Sequence, residues 1–254
     1  MQQHHRTMSA SPRVKILCLH GFTSNGAVHA HQVRRLTNAL PEYEFIFPDG
    51  PHKVDVSSYL DISKPDNRLW TDTVNSHSNS GHRAWWFARE SKDNTTGSFH
   101  GLETSLEYIA DLIREKGPFH GIWGFSQGGC FAGILCALMQ QESVTHSLRR
   151  YLPSTLTAPV AGIVFSGFRA RFPQYDEIYD HSIKIPTMHI MGAGDTDVIN
   201  QRSEELIQIC TKSVVLKHDG GHNIPKGIED QARILEFIRV NLPPNNGHPP
   251  PASI

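Results

Sequence analysis

An α/β fold, with a mostly parallel sheet covered by helices on both faces, is predicted by two features of this 254-residue chain. Short, nearly continuous apolar runs rich in strand formers alternate with longer segments of helical periodicity. Those runs lack the alternation of polar and apolar residues expected of a sheet with one wet face, so their strands are buried on both sides. The length suits one large α/β domain, spanning residues 13–242, and 38% hydrophobic residues are enough for a sizeable core.

The elements follow in order. Residues 1–12 are polar and read as a disordered segment. Residues 14–19 (VKILCL) form the first strand, which ends at the turn His20-Gly21. Residues 25–40 fit a helix, with Val33, Leu36 and Leu40 at helical spacing and Pro41 as its stop. A second strand covers residues 44–47. Residues 50–97 then read as an irregular insert, polar around 63–82, and stretches that long are often functional. Within it Arg83-Ala84-Trp85-Trp86-Phe87 is unusually aromatic.

Residues 99–116 carry the clearest helical stripe, Leu102, Leu106, Ile109 and Ile113, with Ser98 as its expected N-cap. Strands at 121–125, 160–165, 185–191 and 214–217 are separated by helices up to about residue 140 and at 203–210. A last helix runs from about 228 to 242. The Pro- and Asn-rich tail, 243–254, reads as disordered. Right-handed crossovers place the carboxyl ends of parallel strands along one edge, where such folds keep their sites.

At that edge the chain concentrates its chemistry. Gly124-Phe125-Ser126-Gln127-Gly128 is a Gly-x-Ser-x-Gly pattern between a predicted strand and a predicted helix. Such a turn holds a serine hydroxyl above the sheet, and the helix behind it favours developing negative charge. A serine hydroxyl needs a general base, and the base an orienting acid, in the chain order Ser, acid, His. His222, beside Gly221 in the loop after the last strand, is the expected base, ahead of His218 at the end of that strand. The acid is Asp195 or, two residues on, Asp197, both after the strand ending near Gly192; Asp195 is preferred. The backbone N–H groups of Gln127 and of Phe22 are the expected oxyanion donors. His20 reads as structural. Trp85 and Trp86 are candidates for the wall of a substrate-binding pocket, with core packing as the alternative.

Other classes are disfavoured. A net charge of −1 sets up no basic field for nucleic acid or an acidic membrane surface. None of the 16 histidines forms a His-Glu-x-x-His pair, so no metal is expected. No 18-residue apolar run implies a membrane span, and the N-terminus has no signal-peptide core. Cys18, Cys130, Cys136 and Cys210 each lie in an apolar run without a Cys-x-x-Cys pair. They read as buried free thiols of a reducing, cytoplasmic compartment.

Together these residues resemble the FSH family of serine hydrolases, small α/β-hydrolases found in fungi and, as the ovarian-cancer-associated homologue, in animals. The resemblance covers about residues 13–241. It rests on Lys15-Ile16-Leu17-Cys18-Leu19-His20-Gly21-Phe22, on Arg83-Ala84-Trp85-Trp86, and on Gly117-Pro118-Phe119-His120-Gly121-Ile122-Trp123-Gly124-Phe125-Ser126-Gln127-Gly128-Gly129. Val164-Phe165-Ser166-Gly167-Phe168, His189-Ile190-Met191-Gly192 with Asp195, and Gly221-His222 complete it. It implies an α/β-hydrolase fold and a cofactor-free esterase or thioesterase with the triad Ser126, Asp195 and His222. Some fungal members resemble release enzymes that hydrolyse an acyl thioester from the carrier domain of a polyketide synthase, which makes such a domain a candidate partner. The rivals are a carboxylesterase for small esters and, from another class, a non-catalytic partner-binding scaffold. The acyl group and the oligomeric state stay open.

Overall fold

The computed structural model describes residues 13–91, 96–140, 146–153 and 155–244. The expected disordered segment at 1–12 lies outside the described residues, as does the expected tail from residue 245 onward.

In chain order, strand β1 (Val14–Leu19) leads into helix α1 (Gly26–Asn38), then β2 (Tyr43–Ile46). A long excursion follows, made of β3 (His52–Lys53), α2 (Val56–Tyr59), α3 (Pro65–His77), β4 (Arg83–Ala84), β5 (Phe87–Glu90) and β6 (Gly97–His100). The chain returns through α4 (Leu102–Lys116), β7 (Gly121–Phe125), α5 (Gln127–Leu138) and β8 (Ala161–Phe165). It closes with β9 (Ile183–Gly192), α6 (Asn200–Ile207), β10 (Cys210–His218) and α7 (Ile228–Asn241).

Six strands form one parallel sheet in the order β10-β9-β8-β7-β1-β2. Successive side chains of a strand point to opposite faces, and here both faces are apolar. On one face Leu17, Leu19, Ile122 and Val164 join the core built with α4 and α5. On the other Ile16, Cys18, Trp123, Ile163 and Phe165 join Val33 and Leu36 of α1 and Ile234 and Phe237 of α7. This double burial is why the strands read as continuous apolar runs. All four cysteines are free and buried, and burial raises their thiol pKa values, that of Cys210 to about 11. Among the described residues no helix is long and apolar enough to cross a membrane.

The insert is more ordered than its composition implies. Residues 65–77 are helical because Pro65 stands at the first helical position, where its fixed φ and missing N–H cost nothing. The helix expected from residue 99 begins three residues later, and Ser98 is not its cap. Gly97–His100 instead pairs antiparallel with Phe87–Glu90, and Gly101, at φ 89°, turns the chain into α4. Phe99 stacks on Trp86 and Tyr175, with ring centroids 4.9 and 4.7 Å away, an aromatic contact that the local helical pattern does not reveal. Cys210 likewise lies in β10 rather than at the end of a helix.

Candidate active site

Five loops leave the carboxyl ends of β1, β7, β8, β9 and β10 on the same edge of the sheet. Backbone bonds pin each loop to the next: Ser126 N–H donates to Phe165 O (2.9 Å), Ser166 N–H to Ile190 O (2.8 Å), and Gly194 N–H to Gly220 O (3.0 Å). The loop chemistry read from the sequence is thereby gathered at one place.

Ser126 sits between β7 and α5 at φ 55°, ψ −116°, a conformation rare for a residue with a side chain. The turn is possible only because its neighbours are small. A methyl group on Gly124 would meet the Gly128 carbonyl, and one on Gly128 would meet the Leu19 carbonyl. The tight crossing projects Ser126 from the sheet edge at the N-terminus of α5, whose first N–H groups lack intrahelical acceptors. Gly21 lies against it, so close that a methyl group on Gly21 would stand 3.4 Å from Ser126 Cβ. The loop that carries Phe22 therefore abuts the serine.

His222 and Asp195 meet across the next two loops. Asp195 Oδ2 accepts from His222 Nδ1 at 2.8 Å. Its other oxygen accepts the N–H groups of Asp197 and Val198, at 3.0 and 2.9 Å, which closes the turn after β9. Burial alone would raise the Asp195 pKa. The Val198 N–H bond, the bond from His222 and the attraction of that ring outweigh it and leave the carboxyl below its ordinary value. Asp197, the alternative acid, lines the neighbouring cavity and does not bond to His222. His218, the alternative base, accepts the Gly220 N–H within its own turn.

Ser126, His222, Phe22 and Phe125 line a common cavity of about 780 Å³. The Phe125 ring lies 4.8 Å from the His222 ring, centroid to centroid. The opposite wall belongs to the insert. Trp70 of α3 donates its indole N–H to both the carbonyl and the hydroxyl of Thr23, at 3.1 Å each, and lines the cavity together with Leu60 and Asn67. The α1 residues Arg34 and Arg35 face the same space.

Trp85 and Trp86 do not line this cavity. Both are buried in the core beneath it, 0% and 2% exposed, against Phe131. Their backbone explains the placement. Gln127 Oε1 accepts the Trp85 N–H and Gln127 Nε2 donates to Trp86 O, each at 2.9 Å. The Trp85 indole N–H donates to His20 O at 2.9 Å. The aromatic strip thus braces the two loops that flank Ser126 and leaves the wall to Trp70. His20 is structural: Nδ1 bonds Gly21 O (2.7 Å) and Nε2 accepts Gly50 N–H (2.8 Å). Burial lowers its pKa to about 4, so the ring is neutral near pH 7.

Sequence reasoning missed the side chain of Gln127 and the residues Trp70, Arg34 and Arg35. For the arginines a signal existed, since residues 31, 34 and 35 of a helix share a face. For Trp70 there was none, because its place depends on how α3 folds back over Thr23.

Comparison with known proteins finds relatives along most of the chain. The family model described as serine hydrolase (FSH1) matches residues 8–234. A Schizosaccharomyces pombe protein named dihydrofolate reductase is 33% identical over 230 residues, 90% of this chain but 47% of that protein, so the chain spans about half its length. The Bos taurus esterase OVCA2 is 30% identical over 241 residues, 91% of this chain and 98% of that one. Zea mays acyl-protein thioesterase 2 superposes with a TM-score of 0.59 at 17% identity, covering 91% of this chain and 95% of that chain, which shows the α/β-hydrolase fold. With the family model matched over most of the chain, this chain belongs to the FSH1 family of serine hydrolases.

Proposed function

We propose that the enzyme hydrolyses an acyl ester or thioester in two steps, with Ser126 as nucleophile, His222 as general base and Asp195 as the acid that orients it. The observation that carries this reading is the 2.8 Å bond from His222 to Asp195 beside a cavity that Ser126 shares from its strained turn. Bonded to the carboxylate through Nδ1, the ring has Nε2 free to take the serine proton. Ser126 Oγ then attacks the acyl carbon. The oxygen that becomes negative is received by the N–H groups of Phe22 and Gln127, the latter at the N-terminus of α5. Collapse breaks the bond to the leaving group, which takes the proton from His222. Water, deprotonated by the same ring, attacks the acyl-enzyme and frees the acid. The four unpaired, buried cysteines fit work in a reducing cell interior. Of the substrates that the family resemblance brings forward, no cavity residue singles out a carrier-bound polyketide.

A fluorophosphonate probe tests the assignment. The folded wild type is expected to be labelled on the peptide containing Ser126, and Ser126→Ala is expected to stay unlabelled while keeping its circular dichroism. An unlabelled but folded wild type sinks the reading and favours a non-catalytic scaffold, while equal labelling of Ser126→Ala sinks it by showing that another residue is the nucleophile.

A further inference from the structure

The charges around the cavity do not resemble those of the whole chain. The chain is nearly neutral, at −1. The cavity is lined by three permanent cations, Arg34, Arg35 and Lys226, against one carboxylate, Asp197. Among the described residues none of the three cations forms an ion pair. Arg34, exposed at the cavity's rim, donates to the carbonyl of His31, another lining residue, at 2.7 Å. Lys226 stands four residues beyond His222. The remaining wall is apolar where Phe22, Leu60, Trp70 and Ile224 meet it. A site of this composition offers an apolar surface for a chain and an unpaired positive region in the same cavity as the serine. A cleft lined by one sign of charge concentrates ligands of the other sign, with effects of roughly 10- to 1,000-fold on association.

We propose that the substrate is an anionic ester or thioester, with a carboxylate or phosphate held by Arg34, Arg35 and Lys226 while its acyl carbonyl lies at Ser126. This rests on the reading of Ser126 as nucleophile and adds the class of substrate. The anion is either a carboxylate at the far end of the acyl chain or a phosphate on the leaving group. Both use the same guanidinium chemistry, in which an arginine fork receives an oxyanion.

Two matched pairs distinguish the sources. The first is 4-nitrophenyl butyrate against the mono-4-nitrophenyl ester of glutaric acid. The second is butyryl-N-acetylcysteamine against butyryl-coenzyme A. In one pair the anionic member is expected to have a kcat/KM about tenfold or more above its neutral partner at low salt, with the gap narrowing as salt rises. The pair that responds tells carboxylate from phosphate. The triple variant R34Q/R35Q/K226Q is expected to lose at least fivefold more on the anionic member than on the neutral one, with fluorophosphonate labelling reporting that its site is intact. Equal use of both members of both pairs by the wild type overturns the proposal, and so does an equal loss on both in the triple variant. A wild type that is labelled on Ser126 yet cleaves none of the four compounds also overturns it. Failure of labelling in the folded wild type instead removes the underlying assignment of Ser126.

Discussion

At the scale of single residues, the two acids after β9 separate by what their oxygens do. Asp195 spends one oxygen on two backbone N–H groups and the other on His222, so the turn and the imidazole are tied to one carboxylate. Asp197 donates its backbone N–H to Asp195 and leaves its own carboxylate facing the cavity. On the proposed mechanism, Asp195→Asn keeps the side-chain volume but presents the wrong partner to Nδ1–H. The kcat on a neutral ester is expected to fall by a factor on the order of 10⁴. Asp197→Asn is expected to stay within a few-fold of wild type. Steady-state kinetics on 4-nitrophenyl butyrate decide, and comparable losses in the two variants would contradict the assignment.

At the scale of elements, the strand-to-helix turn at Ser126 depends on close backbone approach as well as on hydrogen bonds such as that from Ser126 N–H to Phe165 O. Gly124 faces the backbone of Gly128, and Gly128 faces the carbonyls of Leu19 and His20, so β7, α5 and the β1 loop meet without room for a Cβ. Because those neighbours are backbone atoms, they cannot move aside as a side chain can. Gly128→Ala is therefore expected to cost about 3 kcal/mol of stability through overpacking. It is also expected to displace the loop carrying Phe22. A urea midpoint unchanged from wild type would show that the crossing is looser than described. The insert is a second element-scale device. Asn25 caps α1 by accepting Val28 N–H at 2.9 Å while its amide donates to Gly81 O at 3.0 Å. Trp70 binds Thr23 from the other side. The insert is thus anchored on the loop that abuts the serine, which makes it a wall of the site rather than a distant decoration.

At the scale of the whole molecule, buried histidines tie stability to pH. His20 and His189 are lowered by burial to about 4, and His29, where burial again leads, to about 3. In the unfolded chain each titrates near 6.5. Between about pH 6.5 and 4 the unfolded state therefore binds protons that the folded state refuses, and stability falls as pH falls. Each such histidine contributes a slope of up to about 1.4 kcal/mol per pH unit, or about 4 for the three together. The lowered carboxyl of Asp195 acts in the same direction, since its contribution is present above the ordinary carboxyl pKa and lost as pH falls through the folded one. Urea unfolding between pH 7 and 5 is expected to show this loss, with uptake of roughly three protons on unfolding near pH 5. A stability that is flat over that range would mean these rings are solvated or already charged in the folded protein.

Much of this was written in local order. Strands buried on both faces need continuous apolar residues, and VKILCL and GIWGF supply them. A serine turn of this geometry needs glycines on both sides, and Gly124 and Gly128 mark it where they stand between a strand and a helix. Parallel strands joined by right-handed crossovers then bring Phe22, Ser126, Asp195 and His222 to one edge, because each lies just past a strand end. The aromatic strip and the insert obeyed no such local rule. Trp85 and Trp86 suit a core and a pocket wall equally well in composition. What chose the core was the long-range grip of Gln127 and His20 on their backbone and indole, 42, 41 and 65 residues away in sequence. What chose Trp70 for the wall, and set it in one cavity with Arg34 and Arg35, was the docking of α3 over Thr23 and α1. Those contacts join segments whose spacing carries no periodic signal, so they exist only once the chain has folded.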